Sequence, residues 1–281
     1  MQIKPHLAVG QETRDFSWAI SGANGTPDVR SELTWQNLKA QRVDLGVAAE
    51  HPRFESTLQG SFATVESGTV RDSDYLENNR QNEEFRSLSS ASGSRFTQWQ
   101  LLIGPRIGEI GRLEILPQVG YLHINDRYRL HDGRWIVGAS GSIDGLDSRY
   151  DTRMQGFGGG LTVRYFSKKW ADIFQVGWHR YMLDYDASAD WNLRINDPDP
   201  ANRFRYFRHK GTAMEDRIRI DGQWRVSDRL SVFARWEQTV LSLEHGLDTT
   251  YYLDPARTEN QPLKSVSSRR NSWLIGLKGD F

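Results

Sequence analysis

The sequence has no cysteine, no long apolar run and no excess of charge of either sign. Without cysteine, a disulfide framework, a thiolate nucleophile and a thiolate metal site are all excluded. A transmembrane helix needs roughly 20 consecutive apolar residues, and no stretch of the chain approaches that length. The 36 basic and 36 acidic residues balance, which gives no reason to expect a nucleic-acid partner. We expect no cofactor and no metal.

Aromatic residues, in contrast, are abundant, with 12 Phe, 10 Trp and 10 Tyr among 281 residues. Such residues commonly form girdles at both interfaces of a membrane protein. The mean hydropathy of -0.65 is that of a soluble chain. It is also compatible with a membrane barrel, whose strands carry apolar residues at every second position. The composition alone therefore leaves both a soluble β-sandwich and a membrane barrel open.

The strongest pattern in the sequence is a two-residue alternation of apolar and polar side chains, which places the two sets on opposite faces of β-strands. It recurs along the whole chain. In segment 216–226 the apolar set is Ile218, Ile220, Gly222, Trp224 and Val226, and the polar set is Arg217, Arg219, Asp221, Gln223 and Arg225. A soluble sandwich rarely buries a face as charged as this polar one. Only Ser227-Asp228-Arg229 separate this segment from the next alternating one.

The connections between alternating segments are short at one end of the strands and mostly long at the other, which is typical of outer-membrane barrels. We therefore predict an all-β fold, a transmembrane antiparallel β-barrel of about ten strands. Residues 1–281 would form one domain in the bacterial outer membrane, with long extracellular loops above strands that project beyond the lipid. The short turns fall at 51–53, 108–111, 168–169 and 227–229. The longer polar connections run roughly over 70–94, 131–150, 185–205 and 250–264, with a shorter one near 23–28.

The two ends of the chain fit this prediction. The last ten residues place Trp273, Ile275, Leu277 and Phe281 on one parity and end in an aromatic. This resembles the C-terminal assembly signal of outer-membrane barrels. Residues 1–5 lack the apolar region of a signal peptide, so we expect a mature chain that carries a start methionine.

The polar parity supplies many long charged side chains to the predicted interior. A ten-strand barrel is close to the eight-strand case, in which side chains fill the lumen, and far from an open porin of 16–18 strands. We expect an ion-pair network to close the lumen, because buried charges are tolerated only when they satisfy one another. The predicted inward residues are Arg42, Asp44, Glu114, Arg164, Arg217, Arg219, Asp221, Arg225, Arg235 and Glu237.

Several segments resemble the omptins, a family of ten-strand outer-membrane barrel endopeptidases. They are residues 31–35, 68–75, 120–121, 177–178 and 276–281, which agree with the omptin patterns in order and spacing along almost the whole chain. In residues 68–75, Asp72 and Asp74 match the omptin Asp-x-Asp pair. In omptins this pair faces an Asp-His couple from the fourth loop, and the four side chains activate a water for attack on a peptide bond. The resemblance implies that Asp72 and Asp74 are candidate catalytic residues.

The fourth-loop histidine is missing where the resemblance places it, a few residues beyond Trp178. Asp184 or Asp186 can supply the aspartate, but 183–191 contain no histidine. A histidine is the side chain whose unperturbed pKa best suits proton abstraction near neutrality. Four carboxylates without it could work as a carboxylate pair, bind a hard cation or form a solvated acidic surface. His179 and His245 are possible substitute bases, although each is also an ordinary hydrogen-bonding residue.

Two further expectations concern the outer wall and the strand register. Omptins hold lipopolysaccharide with basic residues beside an aromatic, and Tyr121 and Arg127 are the candidates here. Outer-membrane lipid and lipopolysaccharide are thus expected partners, with a peptide, polysaccharide or protein outside the cell as a possible further one. Asp72 and Asp74 share the parity of Leu58, which we assign to the lipid face. A bulge or turn above the membrane, between Leu58 and Asp72, must reset the register, or the assigned boundary is wrong.

The sequence is compatible with three functions. The favoured one is an omptin-like barrel without omptin-type protease activity, a possible pseudoprotease that presents its loops as a binding or accessory surface. The second is an active surface endopeptidase or other carboxylate-dependent hydrolase. A cleft that holds Asp72, Asp74 and a histidine would favour this second function. The third is a narrow channel or a component of an export apparatus.

Overall fold

The structure, a computed structural model, describes residues 1–107, 109–167, 173–193, 205–251 and 258–281. These residues form twelve β-strands and two single-turn 3-10 helices, Ala23–Gly25 and Asn78–Arg80. No helix in the described ranges is long and apolar enough to span a membrane. The strands are β1 (Gln2–Ile20), β2 (Ser31–His51), β3 (Phe54–Glu77), β4 (Gln81–Ser90), β5 (Arg95–Pro105), β6 (Glu109–Ile110), β7 (Leu113–Val137), β8 (Ser142–Phe166), β9 (Ile173–Asp190), β10 (Arg205–Ser227), β11 (Leu230–Tyr251) and β12 (Thr258–Gly279).

The strands form one closed antiparallel sheet. The ring closes where β1 pairs with β12, with Ala8 opposite Gly276. Strands β4 and β5 lie end to end in one position of the wall, since both pair with β3 on one side and with β7 on the other. The two-residue strand β6 pairs with the start of β7. In the described part of the chain the wall thus has ten positions, and the predicted all-β barrel of about ten strands is confirmed.

The outer wall is apolar towards one end of the barrel and polar towards the other. We call the end that holds the chain termini the lower end and the opposite end the upper end. On β12, Trp273, Ile275 and Leu277 are at least half exposed near the lower end, and Ser267 and Arg269 lie on the same face higher up. We call the lower apolar surface the lipid belt, because such a band on a barrel exterior is what contacts lipid. Other members include Leu7, Val9, Val43, Leu45, Leu58, Phe62, Leu101, Val119, Phe157, Val176, Trp178 and Ile218.

Behind the lipid belt, the inside of the barrel is a network of buried ion pairs, which we call the ionic layer. Glu237 accepts hydrogen bonds from Arg42 Nη1 at 3.1 Å and from Arg219 Nη2 at 2.8 Å. The predicted charged interior is therefore present. Arg225 is the exception, because it lies two residues before the end of β10 at the lower end and is exposed. The other nine predicted inward residues are buried or half-buried, namely Arg42, Asp44, Glu114, Arg164, Arg217, Arg219, Asp221, Arg235 and Glu237.

Above the ionic layer, aromatic and aliphatic side chains fill the barrel, which the sequence analysis did not predict. Phe16 and Tyr128, for example, stack with ring centroids 4.4 Å apart. At the same level the outer wall carries ion pairs such as Arg127–Asp151. The polarity of the two faces is therefore inverted relative to the lipid belt, because above the lipid the outside is water and apolar side chains are buried inward. This aromatic core includes Phe16, Trp18, Leu33, Trp35, Leu38, Phe96, Tyr128, Tyr150, Tyr181, Tyr185 and Phe207.

The predicted loop boundaries need correction. Most of 70–94 is strand, because β3 continues to Glu77 and β4 begins at Gln81. Most of 131–150 is also strand, with only four residues between β7 and β8. Polar residues here alternate on an outer wall that faces water, so polarity alone does not mark a loop. Of the predicted connection at 185–205, residues 185–190 belong to β9, and of that at 250–264, residues 258–264 belong to β12. Residues 194–204 and 252–257, residue 108 and the whole turn at 168–169 lie outside the described residues.

The register of β3 changes below Asp72, as expected. Val65 pairs with Ala40 and Ser67 pairs with Lys39, which leaves one extra residue on β3 between the two pairs. Gly68 follows with φ 155°, a backbone conformation that favours glycine. Val65 and Val70 are both buried inside the barrel although their numbers differ in parity. The bulge thus turns the even-numbered residues of upper β3 inward.

Candidate functional site

Asp72 and Asp74 lie on the inner wall near the upper end of the barrel. Asp72 pairs with Leu33, a member of the aromatic core, and Asp74 pairs with Ser31. Paired residues of antiparallel strands point to the same face, so both carboxylates point to the inside. They are partly exposed, and both also interact within the chain.

The two carboxylates line a cavity of about 290 Å³ at the upper end, which we call the upper cavity. Across it, His209 of β10 and Asp248 of β11 form part of the wall. The structure therefore brings the predicted aspartate pair and a His-Asp pair to one cavity. The remaining wall residues are Trp18, Ile20, Arg30, Ser31, Trp191, Tyr206, Phe207, Thr250, Glu259 and Gln261.

His209 was not among the site residues predicted from the sequence. It sits near the start of β10, on the strand that descends from the fourth loop, whereas the omptin resemblance directs attention to the ascending strand β9. The signal was available, because Phe207, His209 and Ala213 share one parity and all three are buried. A search for inward-facing histidines on both strands beside the loop would have found it.

The two ring nitrogens of His209 face buried protein groups. Nδ1 lies 2.8 Å from the hydroxyl of Tyr150, which lies 2.7 Å from that of Tyr185. Nε2 lies 3.2 Å from a carboxylate oxygen of Asp248, an ion-pair distance without hydrogen-bond geometry. The His209 ring has 0% exposure. Because the ring is buried, it is not placed to take a proton from a water in the cavity.

The ring of His209 is part of the aromatic core. Its centroid lies 4.7 Å from that of Phe207 and 4.9 Å from that of Trp18. Trp18 is 3% exposed and lines the upper cavity, and its indole Nε1 has no hydrogen-bond acceptor among the described residues. A buried indole N–H normally finds an acceptor, so this donor is an unsatisfied group beside the cavity.

A chain segment beside the upper cavity is held by Asp28. The Asp28 carboxylate accepts hydrogen bonds from Lys264 Nζ at 2.9 Å and from the backbone N–H of Asn79 at 2.7 Å. These two bonds hold the pKa of Asp28 below its usual value. The two hydrogen bonds of Asp28 connect the β1–β2 loop to β12 and to the turn after β3, and so fix one side of the upper end of the barrel.

The other predicted site residues lie away from the upper cavity. Asp184 and Asp186 are on the outer face of β9, since the inward positions of this stretch are buried tyrosine, leucine and alanine. On the outer face Asp186 forms an ion pair with Arg208. His179 faces the inside much lower, with Nε2 3.0 Å from the side-chain oxygen of Gln118. His245 is exposed, with φ 65°. Within the described residues no cluster of His, Asp and Glu is arranged to hold a metal ion.

Tyr121 and Arg127 both lie on the outer wall of β7. Arg127 donates to Asp151 at 2.9 Å, and the Tyr121 ring lies 5.1 Å from that of Phe157 in the lipid belt. The Tyr121 hydroxyl is 3.4 Å from the side-chain oxygen of Gln155. The two residues thus lie at the border between the lipid belt and the polar outer wall, and their role in binding lipopolysaccharide stays a prediction.

Known structures with this fold support the barrel assignment. The outer membrane protease OmpT from Escherichia coli superposes with a TM-score of 0.77 at 13% identity, over 100% of this chain and 97% of OmpT. This likeness confirms the omptin-like fold and, at such low identity, the fold alone. The translocator domain of the autotransporter NalP from Neisseria meningitidis reaches a TM-score of only 0.40 at 10% identity, over 98% of this chain and 88% of that one.

Sequence comparison adds the family. No curated protein sequence matches the chain. Residues 6–274 match the model of the Pom family, described as Protochlamydia outer membrane protein. The match covers nearly all of the barrel, from the start of β1 to the lower part of β12. The chain therefore belongs to the Protochlamydia outer membrane protein family and is an outer-membrane β-barrel with an omptin-like fold.

Proposed function

We propose that this barrel binds a basic peptide segment in its upper cavity, at the cell surface, without cleaving it by the omptin route. The observation that carries the proposal is the state of His209. His209 lines the upper cavity with Asp72 and Asp74, but its ring is fully buried, with Nδ1 beside the Tyr150 hydroxyl and Nε2 facing Asp248. A general base must reach the proton that it removes, and this ring does not reach into the cavity.

The wall of the upper cavity favours a ligand that combines positive charge with apolar surface. Asp72, Asp74, Asp248 and Glu259 contribute carboxylates against the single arginine Arg30, and a concave site with an excess of one charge sign attracts the opposite sign. Trp18 and Phe207 contribute aromatic surface, whose faces attract ammonium and guanidinium groups. Arginine or lysine side chains on an extended peptide match both features.

A second candidate is an active endopeptidase. Its support is that Asp72, Asp74, His209 and Asp248 line one cavity, the combination of residue types that the omptin resemblance implies. Catalysis would require the His209 ring to leave Tyr150 and turn Nδ1 towards a water between it and the aspartate pair. Hydrogen bonds at catalytic groups can rearrange when substrate binds, so the two candidates need an experiment.

The experiment measures binding and cleavage on the same sample. A fluorescent peptide with two adjacent arginines is added to the folded barrel in detergent, anisotropy reports binding and mass spectrometry reports cleavage. We expect saturable binding with no cleavage product. Replacing Asp72 and Asp74 together with Asn should weaken binding about tenfold or more. Asp184→Asn, the same change on the outer face, should leave binding unchanged.

Two results would contradict the proposal. The first is cleavage of the peptide that disappears both in the Asp72→Asn, Asp74→Asn double variant and in His209→Gln, which would establish the endopeptidase instead. The second is equal binding by the double variant and by the unchanged chain, which would remove the upper cavity as the binding site.

A further inference from the structure

Three polar side chains lie in hydrogen-bonded sequence on the outer wall, away from the upper cavity. Ser92 Oγ lies 2.9 Å from His131 Nε2, and His131 Nδ1 lies 2.7 Å from a carboxylate oxygen of Asp132. A serine within hydrogen-bond reach of a histidine that a carboxylate orients is the arrangement that activates a serine as a nucleophile. We call these three residues the outer triad.

The strand parity places the outer triad on the outside of the barrel. Leu130 is buried in the aromatic core, so the next residue of β7, His131, faces outward. The His131 side chain is 20% exposed, and Ser92 is also partly exposed. A molecule in solution therefore reaches this histidine, whereas the ring of His209 is fully buried.

A bulge in β7 brings the carboxylate to the histidine. The pairing of β7 with β8 is interrupted between His131 and Gly133, which leaves Asp132 outside the recorded pairs. Asp132 has φ 53°, a left-handed conformation that aspartate tolerates better than most residues. Bulges and such conformations occur often at functional sites, where they re-aim a side chain. Here they turn Asp132 back onto the ring of the residue before it.

The backbone on both sides of Ser92 is held in place. The N–H of Ala91 donates to the carbonyl oxygen of Gly68 at 3.1 Å, and the N–H of Gly93 donates to that of Val65 at 2.9 Å. Ser92 thus lies in the short connection between β4 and β5, fixed to β3 at either side. A nucleophile on a fixed backbone keeps its position relative to the base.

Arg129 places a positive charge beside Ser92. Its Nη1 lies 2.9 Å from where a Cβ of Gly93 would be, and its Nη2 donates to Asp147 at 2.6 Å. Among the described residues Nη1 has no recorded acceptor. An N–H donor beside a nucleophile stabilises the oxyanion that forms when the serine attacks a carbonyl group.

We propose that the outer triad is the site of a serine esterase that acts on carboxylic esters outside the membrane. Ser92 Oγ attacks the ester carbonyl carbon and gives its proton to His131 Nε2, which passes it to the departing alcohol. Water then attacks the acyl-serine, gives a proton to Nε2 and releases the acid, and the proton returns to the Ser92 oxygen. Asp132 holds the Nδ1 proton throughout. The Ser92 carbonyl oxygen, 3.0 Å from Nε2, accepts from the protonated ring.

The height of the outer triad limits the substrate. His131 lies ten residues above Tyr121 on β7, and Tyr121 lies at the border of the lipid belt. This separation is about 34 Å along the strand and about 25 Å along the barrel axis at a usual strand tilt. The substrate is therefore a water-soluble ester and not a membrane lipid. Because the site is open and an alcohol departs more readily than an amine, peptides are not substrates.

The test uses two probes on the folded full chain in detergent. An alkyl fluorophosphonate, which bonds covalently to activated serines, should label Ser92, as peptide mapping by mass spectrometry shows. Nitrophenyl acetate should be hydrolysed, and Ser92→Ala and His131→Gln should each lower the rate by about a hundredfold or more. Ser242→Ala, at an exposed site on β11, is the matched control and should keep both the label and the rate.

Asp132→Asn tests the positioning role of the carboxylate. It should lower kcat for nitrophenyl acetate about tenfold or more with little change in KM, because the amide no longer holds the required tautomer of His131. The site is exposed, so this variant should fold, which the mobility of unheated samples in detergent gels checks. An unchanged kcat in folded Asp132→Asn would contradict this role.

Two results overturn the esterase itself. One is a fluorophosphonate that leaves Ser92 of the unchanged chain unlabelled, and the other is equal hydrolysis by Ser92→Ala and by the unchanged chain. Ser92→Ala should still bind the arginine peptide in the anisotropy assay, because the upper cavity lies on the inner side of the wall. The two proposals therefore stand or fall separately.

Discussion

Single residues of the ionic layer serve several partners at once. Arg42 donates to both oxygens of Asp44, at 2.7 and 3.0 Å, and also to Glu237. Glu237 in turn accepts from Arg42 and Arg219, and its side chain has 0% exposure. Because each charge balances more than one neighbour, the removal of one leaves others buried without compensation. The network is therefore sensitive at its shared members.

Glu237→Gln tests this sensitivity. The amide keeps the volume but removes the charge that balances Arg42 and Arg219, so we expect the free energy of unfolding to fall by about 3–5 kcal/mol. Urea unfolding in detergent micelles, followed by tryptophan fluorescence, measures it. Glu244→Gln on the same strand is exposed and should change stability little. Similar unfolding curves for both variants would show that the charge of Glu237 is dispensable.

At the scale of elements, the bulge in β3 decides what the upper cavity contains. Below it, odd-numbered residues of β3 point inward, and above it even-numbered ones do. A strand without the extra residue would direct Asp72 and Asp74 to the outer wall. A single extra residue in β3 thus moves two carboxylates from the outer face of the barrel to the inner face.

Gly68→Val should disturb this bulge. Gly68 has φ 155°, and a Cβ there would collide with the side chain of Leu38. We expect a loss of about 1–3 kcal/mol in stability and weaker binding of the arginine peptide in the anisotropy assay. Ser67→Val, the same residue introduced one position earlier at an exposed site, is the control. Unchanged peptide binding by a folded Gly68→Val variant would show that the aspartate pair does not depend on this glycine.

At the scale of the whole molecule, the barrel has two zones with opposite polarity. In the lower zone lipid surrounds the wall and charges face inward, and in the upper zone charges face outward around the aromatic core. Inside the described barrel, the ionic layer fills the lower part and the aromatic core fills the upper part. The upper cavity lies in the upper zone, beside the aromatic core.

Two arginine substitutions on one face of β12 test where the lipid begins. Ile275→Arg places a charge in the lipid belt and should cost about 2–4 kcal/mol of stability in lipid bilayers, if this position lies near the bilayer midplane. Ser267→Arg, on the same face but above the belt, should cost little. Unfolding in phospholipid vesicles measures both. Equal costs would contradict the assigned border of the belt.

Much of the fold could be predicted from the sequence, because strand alternation is a local property. The segment 216–226 shows it most clearly, and its polar parity correctly predicted an inward-facing Arg217 and Asp221. The omptin resemblance, in contrast, placed Asp184 and Asp186 near a site that they do not reach. Alternation tells which residues share a face, but which face is inside depends on bulges and on the height above the lipid.

By itself, then, the sequence determined an omptin-like barrel, a charged interior behind an apolar belt and the aspartate pair of β3. Only the tertiary structure decided that Asp72 and Asp74 point inward and that His209 lies opposite them. It also decided that this histidine is buried between Tyr150 and Asp248. The physical reason is closure of the sheet. A closed barrel brings β3, β10 and β11 around one space, although Asp72, His209 and Asp248 lie far apart in the chain and share no local pattern.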